Sequence, residues 1–292
     1  MPTPKPNQTQ FLLDSCDHLD TIATQELLNQ NSLSLFGQTT NPSLLVKNPL
    51  LQTSLQNGKI TETELLKFYK SEITKISELL PNGSVSIEVY ADQNSTKEEL
   101  LEQANTLKQW IPNSYIKFPT IASGLAAAKE FVDNGGKVNM TLVFSQEQAL
   151  AVHLISQNAK NTGDVYLSPF IGRLDDIGIN GLDLVANCLK MYQELNSKVW
   201  VLGASIRNLE HLETCIAMNC DIVTAPISIY AEYVNSLENK AQKIEVKSTL
   251  KSIPYQNLDY SITDYQDLNI QHDLTDQGLT KFVKDWKSVL VD

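Results

Sequence analysis

Eight short runs of apolar and β-branched residues recur along the chain, separated by longer segments of helical periodicity, and this alternation constrains the fold more than any other feature. The runs are QFLLD (10–14), LSLFGQTT (33–40), SVSIEVYA (84–91), YIKFP (115–119), KVNMTLVF (137–144), VYLSPF (165–170), KVWVLGAS (198–205) and DIVTAPIS (221–228). Amphipathic patterns such as 19–30, 97–111, 124–135, 145–159, 181–195 and 208–219 lie between them. A strand that is followed by a helix pairs in parallel with the next strand. Eight such units predict α/β architecture, a single TIM (β/α)8 barrel. A doubly wound open sheet is the competing arrangement. No GxGxxG or GxxxxGKS/T turn follows the first strand, however, which removes the usual nucleotide-binding readings.

The pattern changes after residue 228. A helix near 229–243 completes the expected barrel, 1–243, and a polar stretch without periodicity, 244–272, reads as an extended excursion or loop. LTDQGLTKFVKDWKSVL then closes the chain as a C-terminal amphipathic helix within 273–292. Thr275 is its expected N-cap, and Leu279, Phe282, Val283, Trp286 and Leu290 form one apolar stripe. Such a helix either caps its own barrel or docks on a neighbouring subunit.

The 292 residues, 42% of them hydrophobic, can build a large core. A net charge of −11 argues against nucleic-acid or anionic-membrane partners. No run reaches the ~18 apolar residues of a membrane span. The opening MPTPKPNQTQ lacks the apolar centre of a signal peptide, so a cytoplasmic protein is expected. Cys16, Cys188, Cys215 and Cys220 have no CxxC spacing, and the four histidines show no ligand pattern, so neither a metal nor a cofactor is expected. In so acidic a chain, an anionic substrate must be caught by locally placed cations.

Barrel strands send alternate residues inward. In YIKFPT, Tyr115, Lys117 and Pro119 share a face. A lysine in an apolar pentapeptide can belong to an edge strand or snorkel to water. Inside a closed barrel it is instead a buried amine able to attack a carbonyl and form a Schiff base. The same alternation turns Asp14, Ser86, Glu88, Asn139, Thr141, Tyr166, Ser168 and Phe170 inward, and leads along Gly37 and Thr39 to Asn41. In the seventh run it assigns Gly203, Ser205 and Arg207 to the inner face, and in the fifth it sends Leu142 and Phe144 outward. A ring of buried polar groups costs free energy unless it is satisfied, so it reads as a site rather than as packing. Arg173 and Arg207 follow strand ends, where barrel enzymes bind phosphate, and together they suggest an anion clamp.

The motifs GQTTNPSLL (37–45), YIKFPTIASGL (115–125), VNMTLVFSQEQAL (138–150), YLSPFIGRLDDIG (166–178) and VLGASIRNLEH (201–211) resemble, in order, those of the transaldolase family of class I aldolase barrels. The C-terminal segment is similar to that of the short microbial transaldolases and their fructose-6-phosphate aldolase relatives. The resemblance implies that Lys117 forms a Schiff base with a ketose phosphate and that Asp14 is the general acid/base. It further implies that Glu88 and Thr141 hold a proton-shuttling water and that Asn41, Asn139 and Ser168 bind the dihydroxyacetone hydroxyls. Arg173, Ser205 and Arg207 would hold the phosphate. In the family, a tyrosine at the Phe170 position and a glutamine at the Glu88 position accompany the aldolase branch; phenylalanine and glutamate here favour transaldolase, an enzyme of the pentose phosphate pathway. A lyase of the fructose-6-phosphate aldolase type and a catalytically silent sugar-phosphate-binding barrel are the alternatives. A homo-oligomer is implied: a dimer, or a pentamer or decamer if the last helix is exchanged. Residues 244–272 exceed the corresponding link of the short members, and Gln38 and Phe118 also depart from the family pattern.

Overall fold

Strands whose residues are apolar on both faces can pair only where helices cover them. The computed structural model, which describes residues 8–239 and 249–291, shows that arrangement: a closed barrel in which each strand pairs in parallel with its neighbours in sequence and β8 returns to β1. The expected residues 1–7, the end of the helix drawn to 243 and the first residues of the 244–272 stretch lie outside the described residues.

The chain runs β1 (Gln10–Asp14), α1 (His18–Asn29), β2 (Leu35–Thr39), α2 (Pro42–Lys47), α3 (Pro49–Leu55), α4 (Glu62–Leu79) and β3 (Ser84–Glu88). It continues through α5 (Lys97–Lys108), β4 (Ser114–Pro119), α6 (Ala122–Asp133), β5 (Val138–Val143), α7 (Gln146–Ile155) and β6 (Val165–Pro169). The last third holds α8 (Ile171–Asp175), α9 (Gly181–Glu194), β7 (Trp200–Gly203), α10 (Leu209–Ala217), β8 (Ile222–Ala225), α11 (Ile227–Asn239) and α12 (Asp273–Ser288). Each expected run thus contains a strand. The β2–β3 connection is more elaborate than one crossover helix. Asn41 caps α2 by accepting from Leu44 N at 2.9 Å, with Pro42 at the first helical position. The long α4 starts from a reciprocal capping box between Thr61 and Glu64.

Inside the barrel the two ends differ in chemistry. The N-terminal half is plugged by Tyr115, Tyr166 and Trp200, whose stacked rings lie 4.2 and 6.0 Å apart, together with Leu12, Leu202 and Ile222. The polar inward residues lie above this plug, toward the strand C-termini. Two irregularities correct the simple alternation. The inward residues of β7 are Trp200 and Leu202, followed by Ala204 just beyond its end, whereas a Cβ on Gly203 would lie 3.0 Å from Cys215 Sγ of α10. The expected inward assignment of Gly203 is therefore wrong. Ser205 nonetheless reaches the mouth because its backbone takes a left-handed φ of 57°, which resets the direction of the chain beyond the strand. In β5 the pairing shifts between Met140 and Val143, and Leu142 has a φ of 59°. This kink aims Leu142 at α12, where a Cβ on Gly278 would lie 2.5 Å from Leu142 Cδ2.

α12 lies across the C-terminal mouth of its own barrel, with Leu279, Phe282 and Trp286 buried and Lys281 and Phe282 lining the mouth cavity. Its N-cap is His272, whose Nδ1 accepts from Leu274 N, and not Thr275 as expected. Thr275 is drawn inward instead: its Oγ1 donates to Leu142 O at 2.9 Å and accepts from Gln148 Nε2 at 2.9 Å. Those bonds satisfy the carbonyl left free by the β5 kink. Residues 249–272 form an extended strap with one 3₁₀ turn, Tyr265–Asp267. Lys251 and Gly178 or Asn180 exchange backbone bonds of 2.8 Å. Further along, Asp183 Oδ2 accepts from Ile253 N at 2.9 Å and Gln146 Oε1 accepts from Gln256 N at 2.7 Å. The stretch has no sequence periodicity because individual polar contacts with α7 and α9, rather than a regular apolar face, hold it.

Candidate active site

Lys117 stands in the middle of β4, opposite Glu88 of β3 and Asn139 of β5 in the strand register. It is 4% exposed, and its Nζ donates to Thr40 O at 3.1 Å and pairs with Glu88 Oε2 at 2.9 Å. Glu88 is equally buried. Burial raises its carboxyl above the ordinary range, an effect only partly opposed by Lys117, and the nearby Asp14 raises it further. The remaining side of the amine faces the mouth cavity.

Asp14 closes β1 and opens on the same cavity. Its desolvation raises the carboxyl from the ordinary aspartate value, while Lys117, a hydrogen bond from Thr39 and the charge of Lys47 pull the other way. Thr39 Oγ1 donates to Asp14 Oδ1 at 2.8 Å. Two carboxylates in unlike settings thus serve one amine: Glu88 is paired directly with it, and Asp14 is held from its own side by a hydroxyl.

The amide and hydroxyl residues form a connected wall. Ser168 Oγ donates to Asn139 Oδ1 at 2.6 Å, and Asn139 Nδ2 donates to Ser86 Oγ at 3.1 Å. Asn41 uses its oxygen to cap α2, which leaves its amide protons for the cavity. Thr141 is fully buried, yet its Oγ1 has no hydrogen-bond partner among the described residues. A buried hydroxyl in that state costs about 1–3 kcal/mol, so it marks a place where a ligand or water completes the site.

The cations are arranged unequally. Arg173 rests its guanidinium against the rings of Phe170 and Phe282, 5.8 and 5.9 Å from their centroids, and burial together with the like charge of Arg207 lowers its pKa. Among the described residues no carboxylate lies within ion-pair distance of it. Arg207, by contrast, is gripped end-on by Asp176, Nη1 to Oδ1 at 2.6 Å and Nη2 to Oδ2 at 2.8 Å. Its loop is tied by its backbone N–H to His211 Nδ1 at 3.4 Å, and His211 Nε2 meets Asp175 Oδ2 at 2.8 Å. Both acidic residues of the LDD motif therefore organise Arg207. A Cβ on Gly172 would lie 2.6 Å from both Ser205 O and Arg207 Nε. We expect Gly172→Ala to displace the Ser205–Arg207 loop and to weaken the binding of inorganic phosphate at the mouth roughly tenfold, about 1.4 kcal/mol. Calorimetric titration of the wild-type and variant proteins with phosphate checks this.

The mouth cavity, about 230 Å³, is lined by every residue to which the resemblance gave a role except Glu88, which contributes through its contact with Lys117. A larger cavity of about 610 Å³ lies between α4, α5 and α12; Glu88 lines it too, among other carboxylates and aromatic rings, but no lysine or arginine among the described residues does. The mouth cavity also takes in Thr39, Ser43, Lys47, Thr224, Lys281 and Phe282. Thr224 was accessible to the alternation argument, since β8 turns Ile222 inward. Lys281 and Phe282 were not, because they reach the site only through the docking of α12. Asp17, His18 and Glu72 form a cluster with metal-ligand spacing away from the mouth. Its oxygens already serve His18, Asn48 and Lys75, with Lys75 Nζ 2.8 Å from Glu72 Oε1.

The chain is also similar to known proteins. The family described as Transaldolase/Fructose-6-phosphate aldolase matches residues 15–291. A probable transaldolase of Brucella ovis is 32% identical over 269 residues, which cover 92% of this chain and 94% of that protein. Probable transaldolases of Dehalococcoides mccartyi and Bacteroides thetaiotaomicron are 30% and 31% identical over 272 residues, covering 93% of this chain and 97% of each relative. A match along nearly the whole chain, carried on a closed eight-stranded barrel, means that this protein belongs to the transaldolase/fructose-6-phosphate aldolase family.

Proposed function

We propose that the protein is a transaldolase that moves a dihydroxyacetone unit from sedoheptulose 7-phosphate or fructose 6-phosphate to an aldose phosphate such as glyceraldehyde 3-phosphate or erythrose 4-phosphate, within the pentose phosphate pathway. The observation that carries this reading is the buried Lys117–Glu88 pair facing a second carboxylate, Asp14, across a cavity that also holds Arg173, which has no carboxylate within ion-pair distance among the described residues.

Lys117 Nζ attacks C2 of the ketose, and loss of water gives the protonated imine. Asp14 takes the proton from the C4 hydroxyl, the C3–C4 bond breaks, and its electron pair moves into the imine to give an enamine. After the first aldose leaves, the enamine carbon attacks the carbonyl of the acceptor, and Asp14 returns the proton to the new hydroxyl. Glu88 and the unpartnered Thr141 hydroxyl hold the water lost and regained at C2. Asn41, Asn139 and Ser168 hold the hydroxyls of the three-carbon unit, and Arg173, Ser205 and Arg207 the phosphate.

Borohydride reduction in the presence of fructose 6-phosphate, followed by intact-mass spectrometry and peptide mapping, tests the reading. One adduct of dihydroxyacetone or hexose-phosphate mass on the Lys117 peptide is expected; no adduct, or one on another lysine, overturns it. Phe170 and Glu88 favour the transferase over the lyase. Free dihydroxyacetone should therefore not accumulate from fructose 6-phosphate without an acceptor.

A further inference from the structure

Thr224 takes no part in the chemistry described so far, yet it stands at the site. It is 3% exposed, lies near the end of β8 and lines the mouth cavity. β8 and β2 flank β1, so Thr224 and Thr39 stand on either side of the strand that carries Asp14. Their hydroxyl oxygens are 2.6 Å apart, and Thr39 Oγ1 is 2.8 Å from Asp14 Oδ1.

Counting protons orients this chain. An ionised carboxylate only accepts, so Thr39 must direct its single hydroxyl proton to Asp14. Toward Thr224 it then has only lone pairs, and Thr224 must be the donor. The result is a two-hydroxyl relay polarised toward the carboxylate, in which each bond strengthens the next. If Asp14 takes up a proton and donates it to Thr39, both bonds must reverse. With both hydroxyl protons directed at it, the relay supports the ionised carboxylate, because a hydrogen bond to a charged acceptor is the stronger one.

We propose that Thr224 is a positioning residue for Asp14: acting through Thr39, it holds the carboxylate ionised and fixed in rotation so that it accepts the substrate hydroxyl proton. This rests on the acid/base reading of Asp14 given above. The charged and titratable groups that act on Asp14 from the other elements are Lys117 of β4, Glu88 of β3, Lys47 of α2 and Tyr230 of α11, and the substitutions below leave all four in place.

The test is the pH profile of kcat for the transfer, measured beside the yield of borohydride adduct. Thr224→Val should keep the adduct and move the acid limb upward by about half a pH unit, because the carboxylate loses support and must be ionised to act as base. Thr39→Val should move it further, by about one unit, since the direct donor is lost. Thr224→Ser should restore the wild-type limb. The double valine variant should match Thr39→Val alone, because Thr224 acts only through Thr39. If Thr224→Val does not fold, Thr224→Ala removes the same hydroxyl without its branch and should give the same shift. An unmoved limb in the folded hydroxyl-less variant, or an additive double variant, overturns the proposal. Failure to trap an adduct in the wild-type protein would instead overturn the imine reading itself.

Discussion

Lys117→Met is expected to abolish the borohydride adduct and to lower transfer activity by at least about 10⁴-fold, the scale seen when the nucleophile of a catalytic unit is removed. Methionine fits the volume but not the charge, and the consequence for Glu88 makes this variant more informative than a simple knock-out. In the native site the carboxylate of Glu88, already raised by burial, is held down in part by the ammonium 2.9 Å away. Without Lys117 that opposition disappears and the folded-state pKa rises further. A group whose folded pKa exceeds its unfolded value gives stability that is fully present below the unfolded pKa and lost as pH rises through the folded one. Relative to the wild-type protein, Lys117→Met should therefore lose more stability as pH rises above the ordinary carboxylate range. Thermal melts across and above that range check it. A melting curve with the wild-type pH dependence would mean that Glu88 is not held by Lys117, and the charge pair assigned to the site would be wrong. Adding Glu88→Gln should remove the share of the extra pH dependence that belongs to Glu88, leaving the share of Asp14, which also loses the charge of Lys117, and should not restore activity.

The alternation of strands and helices was enough to predict the barrel, because parallel strands buried on both faces announce themselves as apolar runs. The alternation within the runs also predicted which face of β4 carries Lys117, and the residues around it meet at one cavity. It failed in β7, where Gly203 faces α10 and Leu202 faces inward. Strand parity holds only while the backbone stays extended, and Ser205, in left-handed geometry, reaches the mouth by breaking it. No local pattern announces such a residue. The N-cap of α12 was misplaced for a related reason. Thr275 has the right chemistry for a cap, but Leu142 O and Gln148 compete for its hydroxyl, and both are more than a hundred positions away. Arg207 was legible as a cation at the mouth, but its bidentate hold by Asp176 was not. Contacts made by tertiary docking, including Lys281 at the site and the strap along α9, are the part that sequence periodicity does not encode.

Asp14→Ala should separate carbonyl chemistry from carbon–carbon cleavage. The nucleophile and Glu88 remain, so the imine with fructose 6-phosphate still forms, and the adduct yield after reduction should equal or exceed that of the wild type because the intermediate is no longer drawn off. Turnover should fall by about 10²- to 10⁴-fold, the range expected for the loss of a placed acid/base. Loss of the adduct in a folded Asp14→Ala protein would show that Asp14 acts earlier, at carbonyl attack. The stability of the isosteric Asp14→Asn gives an independent sign. Burial raises the folded-state pKa of Asp14 above its ordinary value, so its ionised form is a liability to the fold that grows as pH rises through that pKa. An asparagine can still accept from Thr39 without carrying the charge. Asp14→Asn should therefore melt above the wild type at alkaline pH, and the difference should shrink as pH falls and the native carboxyl takes up its proton. Under the proposed mechanism both results have one cause, a base kept in a cavity that opposes its charge: the environment that would make the carboxylate avid for a hydroxyl proton also makes it costly to the fold.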